Sequence, residues 1–197
     1  MGLRTFAQVA QEVREDLTAA QQRDPAARSV SRVEILLTYG GVQALLAHRI
    51  SHALYEARVP LLPGMLANWF RVMTGVEIHP AARIGRGLFI DHGAGVVIGE
   101  TAEVGDDVVL FHGSTLGGKS MRHGKRHPTL GDGVVVGAGA KVLGPVWIGP
   151  GAQIGANAVV IHDVPPGAIA VGVPATIRLR SVAAPFDVEV DDPAIYI

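Results

Sequence analysis

The sequence has no cysteine, few aromatic residues and no long apolar run among its 197 residues. Without cysteine the chain has no disulfides and no thiolate metal ligands. Aromatic residues make up 5% of the chain and hydrophobic residues 48%, so we expect a core of Ala, Val, Ile and Leu. No apolar stretch approaches the ~20 residues of a membrane-spanning helix, so we expect no membrane partner.

The chain also lacks a strong charge of either sign. Its formal net charge is −1, and no long block of like charges occurs, which argues against nucleic acid as a partner. The N-terminal residues 1–6 lead into Gln, Glu, Arg and Asp and lack the apolar core of a signal peptide. Together with the absence of cysteine, this favours a cytoplasmic location.

The chain does contain an aliphatic residue at every sixth position over most of 76–180. These anchors are Ile78, Ile84, Ile90, Ile98, Val104, Leu110, Leu116, Leu130, Val136, Val142, Ile148, Ile154 and Val160. A period of six fits neither an amphipathic helix nor an alternating strand, and it is typical of a hexapeptide β-helix. Since a solenoid does not bury all its apolar faces alone, we expect an oligomer.

The region before the solenoid reads as helical. Apolar periodicity predicts helices over 4–22, 31–39, 42–57 and 64–74, with Ser31 as an N-cap. The predicted architecture is therefore α+β, with a helical domain at 1–75, a β-helix domain at 76–180 and a C-terminal tail at 181–197. His48 and His52 have the spacing of zinc ligands on a helix, but no third ligand is evident, so we predict no metal site.

The hexad pattern fails in two places. Between Ile90 and Ile98 the register shifts by two residues around Asp91-His92-Gly93-Ala94-Gly95. A second interruption, 119–129, is polar and strongly basic, which is unusual within a hydrophobic repeat. Local departures from a regular pattern often mark functional sites, so both segments are candidates.

Several motifs around these interruptions resemble those of the serine acetyltransferases. They are Glu77-Ile78-His79-Pro80-Ala81-Ala82-Arg83-Ile84-Gly85-Arg86-Gly87, Ile90-Asp91-His92, Gly99-Glu100-Thr101, Thr115-Leu116-Gly117-Gly118 and Arg126-His127-Pro128. The resemblance covers about 24–180. It implies a left-handed parallel β-helix that forms trimers, or dimers of trimers, with active sites between neighbouring solenoids. It also implies acetyl transfer from acetyl-CoA, a co-substrate rather than a permanently bound cofactor, to the hydroxyl of L-serine.

The resemblance assigns the catalytic residues. His92 matches the family's general base, and an imidazole has the right basicity to take a proton from a serine hydroxyl near neutral pH. Glu77 matches a carboxylate, Asp in many members, that orients this imidazole. Glu at this position retains the charge but has one more methylene.

The same resemblance assigns the binding residues. Asp24 and Asp91 match the carboxylates that hold the substrate's ammonium group, and Arg126 matches the residue that faces its carboxylate, for which a guanidinium is suited. His127 matches a second histidine that contacts substrate. For acetyl-CoA, the matching or candidate positions are Gly118, Ala138, Lys141 and Arg178.

The end of the tail also resembles the family. Members often end in Ile, which inserts into the active site of O-acetylserine sulfhydrylase, and Ile197 is the last residue here. We therefore predict that this enzyme is a partner.

Other functions remain open from the residues alone. A related hexapeptide acetyltransferase would act on a sugar, homoserine or xenobiotic hydroxyl, without needing both ends of an amino acid to be bound. A non-catalytic regulator of the sulfhydrylase would need only the tail. A metal site like that of the γ-class carbonic anhydrases would need three convergent histidines, which the spacing of His92, His112 and His127 does not establish.

Overall fold

A computed structural model of the chain describes residues 6–179, except for the side chains of Phe6 and Arg178. The predicted tail contact of Ile197 lies outside this range. The described chain starts with four α helices: α1 (Phe6–Arg23), α2 (Arg32–Thr38), α3 (Gly40–Glu56) and α4 (Leu62–Thr74). A short 3-10 helix, Ala26–Ser29, follows α1. No helix within 6–179 is both long and apolar enough to cross a membrane.

Local chemistry accounts for where the helices begin. The Ser31 hydroxyl accepts a hydrogen bond from the Glu34 amide at 3.1 Å, which is the predicted N-cap of α2. The predictions for α3 and α4 placed their starts two residues too late. Gly40 and Gly41 are the first two residues of α3. Pro63 lies in the first turn of α4, where its missing N–H costs no intrahelical bond.

Short parallel strands form three sheets, which are the faces of a β-helix. The first sheet contains β1 (Glu77–Ile78), β4 (Val97–Ile98), β7 (Thr115–Gly117), β10 (Lys141–Leu143) and β13 (Val159–Val160). The second contains β2 (Arg83–Ile84), β5 (Glu103–Val104), β8 (Thr129–Leu130) and β11 (Trp147–Ile148). The third contains β3 (Phe89–Asp91), β6 (Val109–Phe111), β9 (Val135–Val136), β12 (Gln153–Ile154), β14 (Ile169–Val171) and the antiparallel β15 (Thr176–Arg178).

The hexad anchors fill the interior of this solenoid. All of them are at most 5% exposed, and together with Ala and Val they form one continuous core. The parallel register places Ile78 opposite Ile98 and Ile98 opposite Leu116, so equivalent anchors stack from coil to coil. The structure confirms the predicted fold class, with N-terminal helices followed by a left-handed parallel β-helix.

Two edges of the solenoid border the first sheet, and each contains predicted functional residues. At the His92 edge, the third sheet turns into the first through 92–96, 112–114, 137–140 and 155–158. At the arm edge, the first sheet turns into the second through 79–82, 99–102, 118–128 and 144–146. The basic segment 118–128 is the only long connection on the described part of the arm edge, and we call it the arm.

A buried ion pair fixes the helices to the first coil. Arg49 of α3 is 1% exposed and donates to both carboxylate oxygens of Asp16 on α1, each at 3.1 Å. It also donates to the carbonyl oxygens of Ile84 at 2.7 Å and Gly85 at 2.5 Å. Burial raises the pKa of Asp16, and the charge of Arg49 opposes that shift. One guanidinium therefore joins α1, α3 and the solenoid.

Candidate active site

His92 begins the corner between β3 and β4 with a backbone φ of 58°. Residues other than Gly rarely adopt this left-handed conformation, and such strain often occurs at functional sites. The side chain is 76% exposed, and its Nε2 lies 3.9 Å from Oδ2 of Asp91. The ring also packs edge-on against His112 of the next coil, with centroids 5.9 Å apart. The two-residue register shift therefore presents an accessible imidazole beside a carboxylate.

The N-terminal helical region brings Asp24 towards the same edge. The Tyr39 hydroxyl donates to Oδ2 of Asp24 at 2.7 Å, and the Ala26 amide donates to Oδ1 at 2.8 Å. The hydrogen bond to Asp24 raises the pKa of Tyr39, with further increases from burial and from the charges of Asp24 and Asp91. Asp24 is therefore bonded to the Tyr39 hydroxyl, and the charge of Asp91 acts on the same group.

The arm is tied to the solenoid by Thr101. Its hydroxyl oxygen accepts hydrogen bonds from the amides of Arg126 at 3.0 Å and His127 at 3.1 Å. Its own amide donates to Nδ1 of His127 at 3.1 Å, and its carbonyl accepts from Lys125 Nζ at 2.8 Å. The start of β8 is therefore held against the preceding coil at the residues predicted to bind substrate.

Two glycines provide the space that the His127 ring occupies. A Cβ on Gly99 would overlap the imidazole, and one on Gly118 would lie 3.3 Å from Nε2. Burial lowers the pKa of His127, and the positive charge of Arg126 lowers it further. Since Nδ1 accepts the Thr101 amide proton, the neutral ring has its own proton on Nε2.

Arg126 is oriented by an acidic residue of the neighbouring corner. Its Nη2 donates to Oε2 of Glu100 at 2.5 Å, and its side chain is 28% exposed. Glu100 and Thr101 have no role predicted from the sequence, although both belong to the Gly99-Glu100-Thr101 motif. In the sequence they are marked as a pair of polar residues that follows Gly99 at the end of β4, where the hexad pattern predicts only a turn.

The remaining predicted residues are distributed over both edges. Glu77 on β1 lies 3.9 Å from Nη1 of Arg71, and within 6–179 no hydrogen bond joins it to His92. Lys141 Nζ donates to the carbonyl of Gly113 on the His92 edge, where Ala138 also lies. Gly118 lies at the start of the arm, and the Arg178 side chain lies outside the described set.

The structure gives no support for a metal centre in its described part. No group of three or more His, Asp or Glu residues within 6–179 is placed to hold a metal ion. His48 and His52 are buried with ring centroids 5.4 Å apart, and Nδ1 of His52 lies 2.7 Å from the Pro80 carbonyl oxygen. Their spacing therefore reflects packing of α3 against the first coil.

One chain separates the predicted site into two halves. His92, Asp91 and Asp24 gather at the His92 edge, whereas Arg126 and His127 lie at the arm edge, on the opposite border of the first sheet. The charges that shift the pKa of His127 all come from residues near the arm edge, and those that shift the pKa of Tyr39 all come from the helical region or from Asp91. The charges that act on His127 and those that act on Tyr39 thus come from different groups of residues.

Comparison with known proteins gives consistent matches. Residues 127–162 match the family model described as bacterial transferase hexapeptide (six repeats). The serine acetyltransferase of Mycobacterium tuberculosis is 54% identical over 173 residues, which cover 88% of this chain and 75% of that protein.

Solved structures agree with the sequence matches. The Neisseria gonorrhoeae serine acetyltransferase in complex with serine is 46% identical and superposes with a TM-score of 0.82, covering 86% of this chain and 69% of that one. A serine acetyltransferase in complex with CoA is 41% identical, with a TM-score of 0.83 and coverage of 88% and 71%.

Proposed function

The chain belongs to the serine acetyltransferase family, and we infer that it transfers the acetyl group of acetyl-CoA to the hydroxyl of L-serine. The product is O-acetylserine, the precursor used in cysteine biosynthesis. The observation that supports this function best is the exposed His92 imidazole, held at a strained corner beside Asp91, with Asp24 turned towards the same edge.

His92 acts as the general base. Its neutral imidazole takes the serine hydroxyl proton while the serine oxygen attacks the thioester carbonyl carbon. The tetrahedral intermediate then collapses, the carbon–sulfur bond breaks, and the imidazolium returns the proton to the departing CoA sulfur. The chain has no cysteine, which excludes a thiol acyl-enzyme, and we propose direct transfer in a complex that holds both substrates.

The charged ends of the amino acid determine its orientation. Asp24 and Asp91 bind the ammonium group, and Arg126 binds the carboxylate with its remaining N–H donors. The neutral His127 donates its Nε2 proton to the same substrate. A substrate without either charged end would leave these groups unpaired, which favours an amino acid over a sugar hydroxyl.

Glu77 is proposed to support His92, as its position in the motif predicts. Within the single chain the carboxylate beside the His92 ring is that of Asp91, and Glu77 lies nearer to Arg71. Replacing Glu77 by Gln should lower kcat if its charge steadies the imidazolium. Unchanged kcat would leave that role to Asp91.

Acetyl-CoA is the co-substrate, and its pantetheine arm is proposed to lie along the first sheet. Small residues at Gly118 and Ala138 would leave room for it, and Lys141 and Arg178 would face its phosphates. Lys141 is already bound to a backbone carbonyl of the His92 edge, so a bound phosphate would compete with that contact.

The complete site is proposed to form between two solenoids of a trimer. The His92 edge of one chain would face the arm edge of its neighbour, bringing base and carboxylate-binding residues together. This proposal is supported by the positions of the two halves of the site, which lie on opposite borders of the first sheet within one chain. Trimers are closed by repeating one such heterologous contact.

The tail is proposed to bind O-acetylserine sulfhydrylase through Ile197, and the enzyme is proposed to act in the cytoplasm. Extended C-terminal peptides commonly bind with their terminal carboxylate captured by backbone donors. Deleting Ile197 should abolish binding to the sulfhydrylase. Unchanged binding would contradict the proposal.

The acceptor is tested by measuring CoA thiol release with acetyl-CoA and L-serine, L-homoserine or a galactoside. L-serine should be the best acceptor by kcat/KM, because the two charged groups are fixed relative to its hydroxyl. Faster turnover of the galactoside would contradict the function, and no turnover of any acceptor would leave only the regulatory alternative.

A further inference from the structure

Tyr39 connects the helical region to the substrate-binding carboxylates. It is the last residue before α3, and its ring packs on the apolar cluster formed by α1, α2 and β3. From this half-buried position its hydroxyl donates to Oδ2 of Asp24 at 2.7 Å. The ring is therefore anchored independently of the hydrogen bond that its hydroxyl makes.

The two oxygens of Asp24 each receive one donor from the chain. Tyr39 bonds Oδ2, and the Ala26 amide bonds Oδ1 at 2.8 Å. An ionised carboxylate has about four lone-pair sites, so each oxygen has room for a further donor. These two hydrogen bonds set the plane of the carboxylate while leaving it able to accept an ammonium group.

The position of Tyr39 is tied to the catalytic corner through the start of α3. A Cβ on Gly41 would lie 2.9 Å from the Ile90 Cβ and still closer to its backbone, so only glycine permits this approach. Ile90 directly precedes Asp91 and His92 on β3. Tyr39 and Asp91 are thereby held on elements in direct contact.

Electrostatics keep the Tyr39 hydroxyl a donor. The hydrogen bond to Asp24 raises its pKa, and burial and the charges of Asp24, Asp91 and Glu34 act in the same direction. A phenol next to these carboxylates stays protonated, so it stabilises Asp24 without adding another negative charge.

We propose that Tyr39 is a positioning residue that holds the Asp24 carboxylate in the orientation in which, with Asp91, it accepts the ammonium group of the amino-acid substrate. This proposal rests on the function proposed above. Tyr39 contributes to substrate binding through Asp24 and takes no part in proton transfer at His92.

The test is Tyr39→Phe, which keeps the ring and its packing and removes only the donor. We expect KM for L-serine to rise about tenfold, as for loss of one hydrogen bond to a charged group, while kcat and KM for acetyl-CoA stay near wild type. Tyr55→Phe removes a hydroxyl from the other end of α3 and should change none of these values. An unchanged KM for serine, or equal losses with both substrates, would overturn the proposal.

A double-mutant cycle with Asp24→Asn separates positioning from general stability. If Tyr39 acts through Asp24, Tyr39→Phe should change kcat/KM for serine much less in the Asp24→Asn background than in wild type. If Tyr39→Phe lowered kcat/KM for serine by the same factor in both backgrounds, the proposal would be contradicted. Wild-type inactivity with serine would instead refute the proposed function, so the two failures are distinguishable.

Discussion

The His92 edge and the arm edge border the same sheet, but their functional side chains are held in place differently. The backbone conformation positions His92, whereas hydrogen bonds position Arg126 and His127. His92 has a left-handed backbone and a mostly exposed ring. Arg126 and His127 are tied through Thr101 and Glu100. A general base needs an accessible ring that can take up a proton and release it again. Binding groups increase the reaction rate when they are already in place before the substrate arrives. The construction of each edge matches its proposed role.

Removing the base should have the largest effect on activity. His92→Ala should lower kcat by about 10³-fold, within the range ascribed to general acid–base catalysis. Alanine is also an L residue, so the strained corner persists and the fold should be retained. Steady-state kinetics with a thermal melt checks both points. A fall of less than tenfold would show that His92 is not the base.

Displacing the His127 ring should lower activity somewhat less than removing His92. In Gly99→Ala the new Cβ would occupy the space of the imidazole, and a displacement of about 1 Å at a binding group can lower activity by about 10²-fold. Gly64→Ala is the control, because a Cβ there meets nothing within 4 Å. If both variants keep wild-type kcat/KM for serine, the placement of His127 is unimportant.

Loosening the arm should have a smaller effect. Thr101→Val preserves shape but leaves the Arg126 and His127 amides without their acceptor, a cost of about 1–3 kcal/mol for buried donors. We expect faster hydrogen exchange in the arm and a higher KM for serine, with little change at the His92 edge. An equal increase in hydrogen-exchange rate at the arm edge and at the His92 edge would show that the two edges do not respond independently.

The smallest expected effect is on the pH dependence of stability. Burial lowers the pKa of His127 in the folded chain, while in the unfolded chain it is about 6.5. The neutral ring therefore contributes fully to the stability of the fold at a pH above the unfolded-state pKa. This contribution is lost as the pH falls through the lower pKa of the folded state. His127→Asn should melt with a shallower decline from pH 7 to pH 5 than wild type. Identical slopes would rule out this contribution.

The hexad period made the solenoid predictable, because each buried anchor enforces the same local geometry. The two interruptions likewise indicated His92 and Arg126 as functional. Contacts between distant segments were not predictable in this way. The bond from Tyr39 to Asp24 depends on how α1 and α3 pack, and the bonds from Thr101 depend on how the arm folds back. Neither contact has a local pattern in the sequence.

The proposed division of the active site between two chains is tested most directly with mixed oligomers. His92→Ala and Arg126→Ala chains, with different affinity tags, are co-expressed, and oligomers containing both are purified. Each mixed trimer would have one site with both residues intact, so activity should return to about one-third of wild type. Activity no higher than that of the two parent variants would contradict a site shared between chains.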